Sequence, residues 1–300
     1  MASLSELWQN NTLMAAAGVA EQELPEGALY VVGLPIGNMG DITLRALWVL
    51  SHADTVVAED TRETRKLLDK FGVNVRLFSV REHNEVRGAE QIIDLLRQGK
   101  RVAMVTDAGT PAVSDPGARA VHVVREAGFR VIPIPGASAV VTALSAAGLS
   151  GTGFSFVGFP APQPKARRAD IAHWAARAEP FVFYEAPHRI LAMLGDLAAA
   201  LDPSRRVVVA RELTKRFETI VSLTAAELAE WVKTHEPRGE YVVIVDEAPT
   251  KTEALTERDL RWLQALKDAL PASKLAAAAA KATGGDRSTL YAQLTKKDED

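Results

Sequence analysis

The 300-residue chain contains no cysteine. Disulfide frameworks, zinc–thiolate centres and cysteine nucleophiles are therefore excluded, and a reducing cytoplasm is compatible with the composition. No apolar run approaches the ~20 residues a membrane-spanning helix needs. Met1–Thr12 lacks a basic start and an apolar core, so no signal peptide is expected. There is no excess of positive charge: the formal net charge is −3, which excludes a uniformly basic surface but allows a local basic face for nucleic acid. The P-loop pattern G-x-x-x-x-G-K-[ST] is missing, which counts against a P-loop NTPase. The first glycine-bearing segment places its glycines at 33, 37 and 40; that is not G-x-G-x-x-G and counts against an ordinary dinucleotide site. The six histidines are scattered and suggest no metal site.

What is present is an alternation. A length of 300 residues suffices for two domains. Residues 1–27 read as an appendage with a short helix at Leu13–Ala20. Short apolar runs follow at Leu29–Gly33, Thr55–Ala58, Val75–Val80, Val102–Thr106 and Val131–Pro135. Amphipathic stretches lie between them at Leu44–Ser51, Thr61–Phe71, Glu85–Gln98 and Ala118–Ala127. That pattern predicts βαβ units and a largely parallel sheet over residues 28–149. A second α/β set spans 150–248, after the glycine-rich Gly148–Gly153 stretch. Its strands are expected at Phe154–Phe159, Phe181–Tyr184, Val207–Arg211, Thr219–Leu223 and Tyr241–Asp246, and its helices at Lys165–Arg177, Ile190–Leu201 and Ala225–Lys233. Arg206–Leu223 leaves no room for a crossover helix, so some antiparallel pairing is expected there. Residues 249–300 read as three helices, Thr256–Leu270, Ala272–Thr283 and Ser288–Lys296, in a helix-turn-helix-like tail or a small packed bundle.

Three glycine-bearing segments follow three strands of the first set: Gly33–Asp41, Asp107–Gly117 and Pro135–Ala139. A parallel sheet brings all its strand carboxyl ends to one edge, so the three can converge on one crevice. Each alone reads as turn punctuation; together they favour a nucleotide-like ligand. Glu59 and Asp60 end the second strand, where a ribose-binding acid would sit.

Leu29–Asn38, Ala58–Arg62 and Thr106–Pro111 resemble the tetrapyrrole-methylase superfamily, and within it the branch of small-subunit ribosomal RNA cytidine 2'-O-methyltransferases. Further matches run in order through Pro135–Ala139, Gly158–Pro160, Tyr184–Arg189, Arg211–Lys215 and Gly239–Tyr241. The resemblance implies two α/β domains of tetrapyrrole-methylase type with S-adenosylmethionine in the cleft between them, a homodimer, and 16S rRNA, within the 30S subunit, as partner. By position it assigns Ile36, Gly37, Asp107, Ala108, Gly109, Thr110, Val113, Ser138 and Ala139 to the cofactor from the first domain, and Glu185 and Leu213 from the second. Corrin and porphyrin methylases carry an acidic residue where this chain has Asn38, which fits a different acceptor.

Methyl transfer to a ribose hydroxyl needs alignment and is helped by a base. Asp60 is the first candidate; its alternatives are a helix N-cap in Asp60–Glu63, close to a capping box, or ribose binding. Glu59, Asp107 and Lys215 are weaker candidates that could equally hold a neighbour in place. For RNA the chain offers Asn38, the cations Arg62, Arg65 and Lys66, then Lys165, Arg167 and Arg168, then His188 and Arg189, with Tyr184 as a stacking ring. Any one such cluster is also explained as a solvated helix face. Two other readings stay open: a small-molecule methylase of the same superfamily, and a non-catalytic nucleic-acid-binding module led by the tail.

Overall fold

The computed structural model describes residues 12–80, 85–149, 153–177, 179–249, 256–267 and 269–295. Part of the expected boundary at Gly148–Gly153, the start of the N-terminal appendage and several tail residues lie outside that set. Contacts divide the chain into two compact units, Met1–Glu247 and Ala248–Asp300.

The first sheet comprises β1 (Ala28–Val32), β2 (Thr55–Ala58), β3 (Arg76–Ser79), β4 (Val102–Met104) and β5 (Arg130–Ile134). Their order is β3-β2-β4-β1-β5, and every pairing is parallel. Alternate strand residues fill two cores, as a period of two demands. Tyr30, Val32, Val56, Ala58 and Ala103 face the helices α2 (Leu44–His52) and α3 (Thr61–Lys70). Leu29, Val57, Val102 and Met104 face α4 (Glu85–Arg97) and α5 (Ala118–Glu126). β1 leads away to one side and β4 to the other, so a crevice opens between their carboxyl ends.

The N-terminal stretch is less of an appendage than its composition suggests. Its helix, α1, is confined to Thr12–Ala16, and Gly18 then takes a left-handed conformation. Met14 and Val19 are buried in the first core, while Leu24 and Pro25 give their carbonyls to Arg101 and Tyr30. Apolar residues at this spacing bury themselves wherever a neighbouring core offers a face.

The second sheet runs β6-β7-β10-β8-β9, from β6 (Ser155–Phe156), β7 (Phe181–Glu185), β8 (Arg206–Arg211), β9 (Thr219–Thr224) and β10 (Tyr241–Val245). Only β6 and β7 pair in parallel; β10 lies antiparallel to β7 and β8, and β8 to β9. The first of these strands is shorter than the run Phe154–Phe159, because left-handed Gly158 turns the chain out of the sheet. One face is covered by α7 (Pro164–Ala175), α8 (Pro187–Ala200) and α9 (Ala225–Thr234). Prolines occupy the first turns of α7 and α8, where a missing N–H costs nothing. A capping box between Thr224 and Glu227 starts α9.

The other face of this sheet is covered by α6 (Ala139–Ala147), a helix not expected from the sequence, whose residues fall within the span 28–149 assigned to the first domain. Val140, Ala143 and Ala147 pack against Val182, Val208, Val242 and Ile244. The passage from one sheet to the other thus begins at Pro135–Ser138, ahead of the expected boundary at 149–150.

In the second unit, α10 (Glu257–Ala265) ends earlier than expected, while α11 (Ala272–Thr283) and α12 (Arg287–Thr295) agree with the sequence pattern to within a residue. Left-handed Gly284 ends α11, and Asp286 accepts the Thr289 N–H at the start of α12. Leu275, Ala276 and Ala279 pack on Leu290 and Leu294. The alanine run therefore serves close helix packing.

Candidate active site

The three glycine-bearing segments do converge. Leu34 and Gly109 exchange both backbone hydrogen bonds, at 2.8 and 3.1 Å, joining the loops after β1 and β4. Thr110 Oγ1 donates to the Ala137 carbonyl of the third loop. Gly33 and Gly136 lie backbone against backbone, closer than any side chain would permit. Four non-glycine residues, Ala112, Ser114, Glu212 and Thr214, are held at positive φ in the flanking loops. Such strain, about 1 kcal/mol or more per residue, collects at functional sites.

Between these loops and the second sheet lies a cleft of about 380 Å3. From the first sheet it is lined by Ile36, Ala108–Thr110, Val113–Asp115, Ser138 and Ala139. From the second it is lined by Phe159, Tyr184–Pro187, Leu213, Lys215 and Glu240–Val242. Nine of the eleven residues expected at the cofactor thus share one cavity. Gly37 and Asp107 stand just outside it: the stem of Lys215 lies across Gly37, and Asp107 Oδ1 accepts the Asp60 N–H at 3.1 Å.

Glu185 is 2% exposed. Its Oε1 accepts from the Ala186 N–H at 2.9 Å and lies 3.0 Å from Arg189 Nε, an ion-pair distance without hydrogen-bond alignment. Its Oε2 is buried with no partner. Burial pushes this carboxyl upward against the Ala186 N–H and the charges of Arg189, Arg167 and His188. An orphaned acceptor in a cleft walled by Ala108, Gly109 and Ala139 fits a ligand with a flat apolar body and polar donors, as a nucleoside-containing cofactor has.

Asp60 caps α3: its Oδ1 accepts the Arg62 N–H at 2.8 Å, and Arg62 grips both oxygens at 3.1 and 2.6 Å. The reciprocal half of a capping box is not made, because Glu63 pairs with Lys66. Lys215 bridges Glu212 at 2.8 Å and Glu240 at 2.9 Å. Burial lowers its proton affinity, but the bonds to those two carboxylates outweigh this and hold it as the ammonium. Lys215 ties loops together and, held as the ammonium, has no basic lone pair to offer.

The expected RNA contacts divide. Asn38, Arg62, Lys165, Arg168 and His188 are exposed. Asn38 caps the short turn Met39–Asp41 through the Gly40 N–H. Arg167 is the clear correction: it is 6% exposed and pairs with Asp196 at 2.7 Å, because its position on α7 faces α8. Arg65 donates to the Val75 carbonyl and Arg189 to the carbonyls of Pro160 and Ala161, so both guanidiniums hold loops. Tyr184 is half-buried between Phe156 and Phe159, and burial raises its hydroxyl to about 12. The ring presented at the cleft mouth is instead Phe159, 54% exposed.

Several lining residues carry no role in the sequence pattern, among them Phe159, Asp115, Glu240 and Tyr241. Phe159 falls inside the Gly158–Pro160 motif. Asp115 lay in the second loop without a role, although a carboxylate between Ser114 and Pro116-Gly117 was a signal that something holds it there. Burial first, then the nearby Glu59, raises Asp115 to about 6 despite a hydrogen bond from Thr106; Asp107 adds to the rise.

The family model for tetrapyrrole (corrin/porphyrin) methylases matches residues 28–229. A ribosomal RNA small subunit methyltransferase I from Neisseria meningitidis serogroup B is 48% identical over 275 residues, 91% of this chain and 94% of its own. One of the same name from Escherichia coli O157:H7 is 47% identical over 268 residues, 89% of this chain and 94% of its own. Among solved structures, a cobalt precorrin-4 methyltransferase of cobalamin biosynthesis superposes with a TM-score of 0.55 at 19% identity, over 75% of this chain and 98% of its own. A uroporphyrin-III C-methyltransferase from Thermus thermophilus gives 0.51 at 23% identity, over 73% and 94%. At such identities the likeness is one of fold. Two α/β layers flanking a loop-lined cleft are thus the architecture of a tetrapyrrole-type methylase. The chain belongs to the tetrapyrrole (corrin/porphyrin) methylase family, and over nine-tenths of its length it is similar to the ribosomal RNA small subunit methyltransferase I relatives.

Proposed function

We propose that this protein transfers a methyl group from S-adenosylmethionine to the ribose 2'-oxygen of a decoding-centre cytidine in 16S rRNA, acting on the 30S subunit as a homodimer in the cytoplasm. The observation that carries the reading is the convergence of nine motif residues from both sheets on one cleft. The names of the relatives support ribosomal RNA as the acceptor. When bound, the cofactor supplies a sulfonium-activated methyl group, so the protein's main task is alignment, which can supply up to roughly 7–11 kcal/mol. Ile36 and the run Ala108–Thr110 with Val113, Ser138 and Ala139 hold the cofactor from one side; Glu185 and Leu213 hold it from the other. Glu185 Oε2 accepts a hydrogen bond from it. Asn38, Arg62, Lys165, Arg168 and His188 meet the RNA, and Phe159 adds a stacking face. The acceptor's proton passes to the acidic edge that Glu59, Asp60 and Asp107 share with Asp115.

The test is transfer of radiolabelled methyl from S-adenosylmethionine to 30S subunits lacking the modification, with the labelled nucleotide mapped by mass spectrometry. Label on a ribose 2'-oxygen is the expected result. Tight cofactor binding without transfer would instead favour a small-molecule acceptor, the reading that the fold likeness to corrin enzymes keeps in view.

A further inference from the structure

We propose that Arg189, on the first turn of α8, is a positioning residue that couples the occupied cofactor site to the acceptor-facing loop Gly158–Ala161; the inference rests on the methylation reading above. Its Nη2 donates to the Pro160 carbonyl at 2.6 Å and reaches the Ala161 carbonyl at 3.3 Å. Its Nε stands 3.0 Å from Glu185 Oε1. One guanidinium therefore touches both a carboxylate of the cleft and the loop that carries Phe159 at the cleft mouth.

The ion pair is unfinished. Adjacent guanidinium and carboxylate groups commonly close into a fork of two parallel hydrogen bonds. Here Arg189 Nε and Glu185 Oε2 are both buried, and neither has a hydrogen-bond partner among the described residues. Leaving two complementary charged groups unsatisfied side by side is costly. The arrangement is one that a hydrogen-bond donor arriving in the cleft completes.

A donor held by Glu185 Oε2 fixes the plane of the carboxylate, and a change in that plane is what brings Oε1 into line with the Arg189 Nε–H. The guanidinium is rigid and planar, so a shift at Nε passes to Nη2 and to the Pro160 and Ala161 carbonyls. The loop is able to follow. Gly158 begins it with a left-handed φ of +71°, and Asp170 Oδ2 on α7 accepts the Ala161 N–H at 3.1 Å at its end. Phe159 lies between these two points, 54% exposed and edge-on to Tyr184 at 5.5 Å. Occupancy at Glu185 thus sets where the stacking ring stands. By linkage, an acceptor base seated on Phe159 tightens cofactor binding by the same factor.

The test compares the wild type with Arg189→Lys and Asp170→Ala in the full chain. Affinity for 30S subunits lacking the modification is measured with and without S-adenosylhomocysteine, and amide hydrogen exchange across the Gly158–Ala161 loop is followed as S-adenosylhomocysteine alone is added. In the wild type S-adenosylhomocysteine is expected to tighten 30S binding about tenfold, within the range usual for coupled sites. It should also slow exchange at the Phe159 and Ala161 amides in the absence of RNA. Arg189→Lys keeps a charge that can hold the Pro160 carbonyl but lacks the planar fork. It should bind each ligand alone nearly as the wild type does, while the coupling and the protection of the loop disappear. Asp170→Ala loosens the loop without touching Glu185, and should weaken 30S binding equally with and without S-adenosylhomocysteine. If the wild type shows no coupling, or if Arg189→Lys couples and protects as the wild type does, the proposal fails and the methylation reading stands. Absence of methyl transfer to 30S subunits by the wild type overturns both.

Discussion

Gly33, at the end of β1, and Gly136, at the end of β5, touch through their backbones. A Cβ on Gly136 would stand 2.7 Å from the Gly33 carbonyl oxygen, and one on Gly33 2.9 Å from the Gly136 Cα. Neither obstacle is a side chain that could swing aside. Gly33→Ala or Gly136→Ala must push apart the two loops that floor the cleft. Each is expected to cost about 1–3 kcal/mol of stability and to weaken S-adenosylhomocysteine binding. Denaturant melts with calorimetry check this; an alanine variant with wild-type values in both would show that the loops give way freely.

Glu185 Oε2 is expected to receive a donor from the cofactor. Glu185→Gln keeps the shape but loses the charge, and should lower affinity by roughly tenfold, the ~1.5 kcal/mol of a charged hydrogen bond. Calorimetry with S-adenosylhomocysteine measures it, and undiminished affinity would remove Glu185 from the cofactor contacts.

Asp115 also makes a prediction about stability. Its carboxyl titrates near 6 in the fold against about 3.9 in the unfolded chain, so the folded state holds the proton more tightly. Its effect on stability is therefore most favourable below about pH 4 and is lost as pH rises through about 6. Asp115→Asn should stabilise the ligand-free protein at pH 8, by about 1 kcal/mol after allowance for solvent screening, and give no gain at pH 4. Equal gains at both pH values would mean that the carboxylate is not strained by its site.

Arg167 and Arg168 are neighbours with different tasks. Arg167 is buried on Asp196, so Asp196→Ala leaves a guanidinium without its anion and should cost about 3 kcal/mol. Arg168→Ala and Lys165→Ala should barely change stability, yet should lower 30S affinity and flatten its salt dependence. A salt slope unaltered by both surface variants would move the RNA contact elsewhere.

The second unit, Ala248–Asp300, has its own small core. If it assists docking on the ribosomal subunit, removal of residues 251–300 should weaken 30S binding and leave S-adenosylhomocysteine affinity intact. Unchanged 30S binding would assign the tail a packing role only.

Much of this protein was legible in one dimension. Strands such as Thr55–Ala58, buried at every position, and amphipathic stretches such as Glu85–Arg97 are local patterns, since a period of two or 3.6 depends only on neighbours in the chain. The short Arg206–Leu223 interval dictated antiparallel pairing for the same reason, and three glycine segments after three parallel strands had to share an edge. Partnership across the chain was another matter. That α6 covers the second sheet, that Met14 enters the first core, that Arg167 turns inward to Asp196 and that Arg62 engages Asp60 all depend on which surfaces meet. Asp115 shows the division most plainly. The sequence placed a carboxylate in a proline- and glycine-bearing loop, but only the fold brought Glu59 and Asp107 beside it and took part of its surface out of water, and partial desolvation next to like charge is what raises an aspartate's proton affinity.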